Sequence, residues 1–181
     1  MLDNLLNLVK QYADDAIVQN PDIPNEQNDA AINVASSSIF NSLQSQATSG
    51  GIANLLNMFS GGTDNTAVTN NVTSNVAGSL MEKLGLDTTK AQGIATTLVP
   101  QVLNSLVSKT NDPNESSFSL NGVFNSLTDG KTEGINLDNV LNQLKGSDGK
   151  FTMDDITSLF NQQAENHSGG LMDKLKGLFG I

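Results

Sequence analysis

Val68, Val72, Val76, Leu80 and Leu84 recur every four residues, and Ala77 and Met81 widen the stripe they form. A four-residue step nearly matches the 3.6-residue turn of an α-helix, so these side chains stack on one face and need a partner to cover them. The spacing predicts a helix that ends at Gly85, where a left-handed C-cap would fall. Asp87 then stands where a side chain can cap the next helix. That helix carries Ala91, Ile94, Leu98, Val102, Leu103, Leu106 and Val107, with Pro100 inside the pattern. Proline has no N–H and its ring crowds the preceding turn, so a kink or a break between two helices is expected there.

The same period runs through the rest of the chain. Leu2, Leu5, Leu6, Val9, Ala13 and Ile17 predict an amphipathic helix over residues 2–18. Asn20-Pro21 through Pro24-Asn25 breaks it. Asn25 is expected to cap a second helix over about 26–47, with Ala31, Val34, Phe40 and Leu43 on its buried side. Ser49-Gly50-Gly51 closes that helix, and Ile52 to Phe59 reads as a short third one. No run of alternating β-branched residues is bounded by a hairpin turn. The fold class expected is therefore all-α, a multi-helix bundle of short amphipathic helices in two helical parts. The stretch 110–116 (Thr-Asn-Asp-Pro-Asn-Glu-Ser) is the expected linker, dividing an N-terminal part, 1–110, from a C-terminal part, 111–181.

After residue 117 a short unit recurs, beginning at Leu120, Leu137, Met153 and Met172, with starts 17, 16 and 19 residues apart. Each unit has apolar residues on one helical face and Asn or Asp at its second position, where unpaired N–H groups and the helix dipole favour an oxygen acceptor. Two Asp-Gly-Lys turns, 129–131 and 148–150, follow the first and second units. The second resembles the latter half of an EF-hand calcium loop, with Asp148 and Asp155 as the candidate metal ligands. Leu144 and Gly146 stand where further oxygen donors should be, so the loop offers fewer than the six to eight oxygens calcium requires. A turn followed by a Thr152-x-x-Asp155 capping box accounts for the same residues.

Composition narrows the chemistry further. All nine basic residues are lysine against nineteen acidic ones, a net charge of −10, and there is no cysteine, arginine or tryptophan. Disulfides, thiolate metal sites and arginine forks on phosphate are excluded. The lysines form no basic footprint, so a nucleic-acid partner is not expected. His167 is the single imidazole and sits in a polar stretch, so neither a multi-histidine metal site nor a histidine-activated nucleophile is expected. Adjacent carboxylates such as Asp14-Asp15 and Asp154-Asp155 diverge on a helix instead of converging for acid–base work. The expectation is a non-enzyme without a cofactor. The first residues do not read as a secretory leader and the apolar runs fall short of bilayer length, so a cytoplasmic location is the expectation.

The central residues Leu84-Gly85-Leu86-Asp87, Ala91-Gln92 and Leu98-Val99-Pro100-Gln101-Val102-Leu103, with the later Phe118-Ser119-Leu120, resemble the bacterial YidB-like family, a domain family of unknown function. The resemblance implies a helical cytoplasmic protein and carries over no functional residues. Together these readings favour a non-catalytic interaction or assembly protein, binding a protein partner or itself. The alternative is a calcium-binding module built on the Asp-Gly-Lys turns. The last helix, with Leu171, Leu175, Leu178 and Phe179 as its contact stripe, is the expected partner-binding face. Contact of this helix with a membrane surface is the less favoured use.

Overall fold

The first apolar stripe forms helix α1, Leu2–Ala13, and its last turn widens into a π-turn over Asp14–Val18. Together they bury Leu5, Leu8, Val9, Ala13, Ala16 and Ile17. The computed structural model describes residues 2–21, 23–49, 51–60, 65–133 and 137. Past the proline break come α2, Asn28–Thr48; α3, Ile52–Phe59; α4, Thr66–Leu84; α5, Thr88–Thr110; and α6, Leu120–Leu127. Among the described residues there is no β-strand, and these six helices pack against one another as an all-α bundle.

The caps at the centre follow from local chemistry. Gly85 takes φ +69° at the end of α4, a conformation that a Cβ would make costly. Asp87 is extended, and its carboxylate accepts the Lys90 N–H at 3.0 Å, satisfying one of the donors that the start of α5 leaves unpaired. Gly51 is required for another reason. A Cβ there would lie 2.8 Å from the Gln46 carbonyl, the acceptor for its own N–H, at the tight turn between α2 and α3.

Two local expectations need correction. Asn25 does not cap α2: the chain leaves Pro24 into a 3-10 turn, Asn25–Gln27, so Asn25 lies inside a turn with no side-chain cap bond. Val34 and Phe40 pack against the core, as expected, though each is half-buried. The fully covered face of α2 is Ala31, Ile32, Ala35, Ser36, Ser38, Ile39, Ser42, Leu43 and Ala47, one in three of them serine. No break occurs at Pro100, since α5 runs unbroken from Thr88 to Thr110. Thr96, whose carbonyl Pro100 leaves without a donor, is on the exposed side, where water can serve it. On the opposite side Leu98, Val99, Val102 and Leu103 are buried and hold both halves of the helix against the bundle.

α2, α4, α5 and α1 form the body of the bundle, with α3 closing one end. Burial of large side chains such as Leu80, Leu98 and Leu106 supplies about 1.5–3 kcal/mol each. The chain after Thr110 returns to this same core. Lys109 Nζ meets Glu115 Oε1 at 2.8 Å and lies 5.8 Å over the Phe118 ring. Asn4 Nδ2 donates to the Ser117 carbonyl at 3.1 Å, tying α1 to the segment ahead of α6. The Phe124 ring then meets Phe59 edge-on, with centroids 5.5 Å apart. Most of the expected C-terminal part, from residue 138 onward, lies outside the described residues.

Candidate site in the groove between α2 and α4

The polar residues of α2 and α4 fall into register. Ser38 and Ser79 share a hydroxyl–hydroxyl bond of 3.0 Å, Asn75 Nδ2 donates to Ser42 Oγ at 3.1 Å, and Gln46 Nε2 donates to Asn71 Oδ1 at 3.4 Å. Each step of four residues up α2 matches a step of four down α4, so the helices run antiparallel with one polar rung per turn. Between the rungs, Asn75 Nδ2 also reaches Asn71 Oδ1 at 3.2 Å. The Ser42 hydroxyl donates to the Ser38 carbonyl at 2.7 Å, which leaves its oxygen lone pairs for Asn75.

Beside these rungs lies an open groove of about 350 Å³, lined by residues that include Asn41, Ser45, Ser74, Gly78, Glu82 and Lys83. Gly78 opens it further, since a Cβ at this position would meet nothing within 4 Å. Glycine inside a helix costs about 1 kcal/mol relative to alanine, and no close neighbour in the bundle demands it here. The lining is neutral hydroxyl and amide except for the neighbouring Glu82 and Lys83. A serine hydroxyl attacks a substrate only when a base takes its proton, and here Ser38 and Ser42 bond to another hydroxyl, an amide and a carbonyl. What the arrangement offers is hydrogen bonding from both groups at once.

This groove was not anticipated from the sequence, though its signal is there. Ser38, Ser42 and Gln46, like Asn71, Asn75 and Ser79, follow a four-residue step beside apolar stripes with the same step. Residues 30–63, 65–81 and 91–108 also contain no Asp, Glu or Lys, so the three long helices carry charge only near their ends in a strongly acidic chain.

The first Asp-Gly-Lys turn is visible and closes α6. Asp129 has φ +51° and Gly130 φ +81°, and the Gly130 N–H returns to the Asn125 carbonyl at 2.8 Å. The Asp129 carboxylate accepts from Gln44 Nε2 at 3.3 Å, which links the turn to α2. Among the described residues no three His, Asp or Glu side chains gather where they could hold a metal ion. Asp14 accepts from Gln19 Nε2 at 2.6 Å and shares no site with Asp15, which is also exposed. The candidate ligands Asp148 and Asp155, His167, and the contact stripe Leu171, Leu175, Leu178 and Phe179 lie outside the described residues. No helix among the described residues is long and apolar enough to cross a membrane. No family model matches this chain, and neither a curated protein nor a solved structure matches it.

Proposed function

We propose that the chain is a non-catalytic helical interaction protein that engages a protein partner or a second copy of itself through the groove between α2 and α4. The observation that carries this reading is the antiparallel ladder Ser38–Ser79, Ser42–Asn75 and Gln46–Asn71, whose members are hydrogen-bonded to neutral groups. Among the described residues no carboxylate is hydrogen-bonded to Ser38, Ser42 or Ser79, which supports a groove that recognises and does not convert. Protein interfaces are depleted in charged residues at their centres, and this groove shares that feature although its serines are not typical of an interface core. Glu82 and Lys83, side by side in the lining, supply the charges that fix a partner's orientation. A cytoplasmic location and kinship with YidB-like bacterial proteins belong to the same proposal.

Gly78→Gln provides the test, because Gly78 lines the groove and a Cβ there meets nothing within 4 Å. The wild-type chain is expected to associate, with itself in sedimentation or with a partner captured from bacterial lysate, and Gly78→Gln to lose that association with an unchanged circular dichroism spectrum. Association that survives the substitution removes the groove from the reading. A substrate turned over by the purified chain, with Ser38→Ala abolishing turnover, overturns the non-catalytic assignment itself.

A further inference from the structure

Asn121-Gly122 is the one Asn-Gly pair in the sequence; each of the other 22 asparagines precedes a residue that carries a Cβ. It lies in the first turn of α6, where backbone N–H groups have no partner within the helix. Among the described residues the Gly122 N–H is held by the Ser119 hydroxyl, at a long 3.3 Å, and Gly122 is exposed. A helix of eight residues is also short enough for its first turn to fray. Asn121 itself joins two parts of the chain, for its Oδ1 accepts the Leu137 N–H at 2.8 Å.

The geometry points to Asn121 as a site of intramolecular deamidation, which makes the Asn121–Leu137 link chemically alterable. Solvent base takes the proton of the Gly122 N–H, and that nitrogen forms a bond to Asn121 Cγ. The carbonyl electron pair moves onto Oδ1. Its return breaks the Cγ–Nδ2 bond, and ammonia leaves with a proton from solvent, so that a five-membered succinimide ring remains. Water then adds to one of the two ring carbonyls, and the ring opens to aspartate or to isoaspartate. The balance is one water consumed and one ammonia released, with no oxidant or reductant. Both reacting groups are on adjacent residues, which gives the attack a high effective concentration. Glycine lets the backbone reach the required conformation without a Cβ in the way.

The two products act oppositely on the link. Aspartate at this position sits at the positive end of the α6 dipole and is a stronger acceptor for the Leu137 N–H than the amide it replaces. It also makes Asn121 like Asp138, Asp154 and Asp173, which hold the same position in the other three units of the sequence. Isoaspartate puts an extra methylene into the backbone, which interrupts the first turn of α6 and withdraws its carboxylate from Leu137.

The test is a time course on the purified full chain at neutral and mildly alkaline pH, followed by cleavage at lysine and mass spectrometry of the fragments. The expected result is a gain of about 1 Da, localised to Asn121 before any of the other asparagines and faster at the higher pH. Gly122→Ala is expected to slow the gain severalfold. Its fold is retained because the one close neighbour of the new Cβ is the rotatable Ser119 hydroxyl, at 2.9 Å. Asn121→Asp is expected to melt at or above the wild-type temperature, and the isoaspartate fraction of an aged sample to melt below it. Modification of Asn121 no faster than of Asn125, one helical turn further on, overturns the assignment, as does a Gly122→Ala chain that is modified at the wild-type rate. An isoaspartate fraction that melts with the wild type overturns the role of the link.

Discussion

Asp87 shows how one side chain sets the start of the longest helix. Its extended backbone ends the Gly85-Leu86 connection, and its carboxylate takes the Lys90 N–H that α5 leaves unpaired. The nearby Lys90 ammonium, 3.8 Å from Oδ2 on a half-exposed side chain, adds little in water. Asp87→Ala is therefore expected to lower stability by about 1 kcal/mol, and Asp87→Asn, which keeps the acceptor, by less. Urea unfolding midpoints of the two variants measure this, and equal losses for both would show that charge, not the cap bond, is what matters. Asp87 was legible in the sequence because a cap depends on only four consecutive residues. Asn25 was misread because a 3-10 turn intervened, which no residue there signals by itself.

At the scale of elements, α5 carries the clearest conflict between local preference and packing. Pro100 sits inside it, where a proline costs about 3 kcal/mol in an isolated helix. The helix continues because its buried side, from Ala91 to Leu106, packs on both sides of the proline. Pro100→Ala restores a donor for the Thr96 carbonyl and removes the ring. It also frees the unfolded chain, an effect of about 1 kcal/mol in the other direction. The net expectation is stabilisation by about 2 kcal/mol, read as a higher melting temperature. A lower one would show that the ring fills space the bundle needs. The α2–α4 pairing teaches a related lesson. Ser38 and Ser42 look like poor core residues, yet they are buried because Ser79 and Asn75 arrive in register to bond them.

For the whole molecule, the segment after α5 is joined to the bundle by Lys109. The ammonium sits against Glu115 and its pKa is raised, first by the hydrogen bond to that carboxylate and then by its charge, with partial desolvation working against both. A group whose pKa is higher in the folded state than in the unfolded one stabilises the fold below the unfolded value and loses that contribution as pH rises through the folded one. The stability difference between wild type and Lys109→Met is accordingly expected to be constant through neutral pH and to shrink above about pH 10.4, the ordinary lysine range. Urea midpoints taken across that range check the sign. A difference that persists at the highest pH would show that the ammonium charge is not the source of the contribution, since methionine keeps an apolar stem of similar length.

The all-α class, the helix over 66–84, its glycine cap and the Asp87 start were determined by the sequence itself, because periodicity and caps depend on residues within a turn or two of one another. The groove, the unbroken α5 and the burial of serines were decided only by tertiary structure. Each depends on residues 25 or more positions apart, or on packing strong enough to outweigh a local preference. The Ser36 hydroxyl is buried on a carbonyl of its own helix, whereas Ser38 is buried with a partner that only a second helix can bring, 41 residues further along the chain.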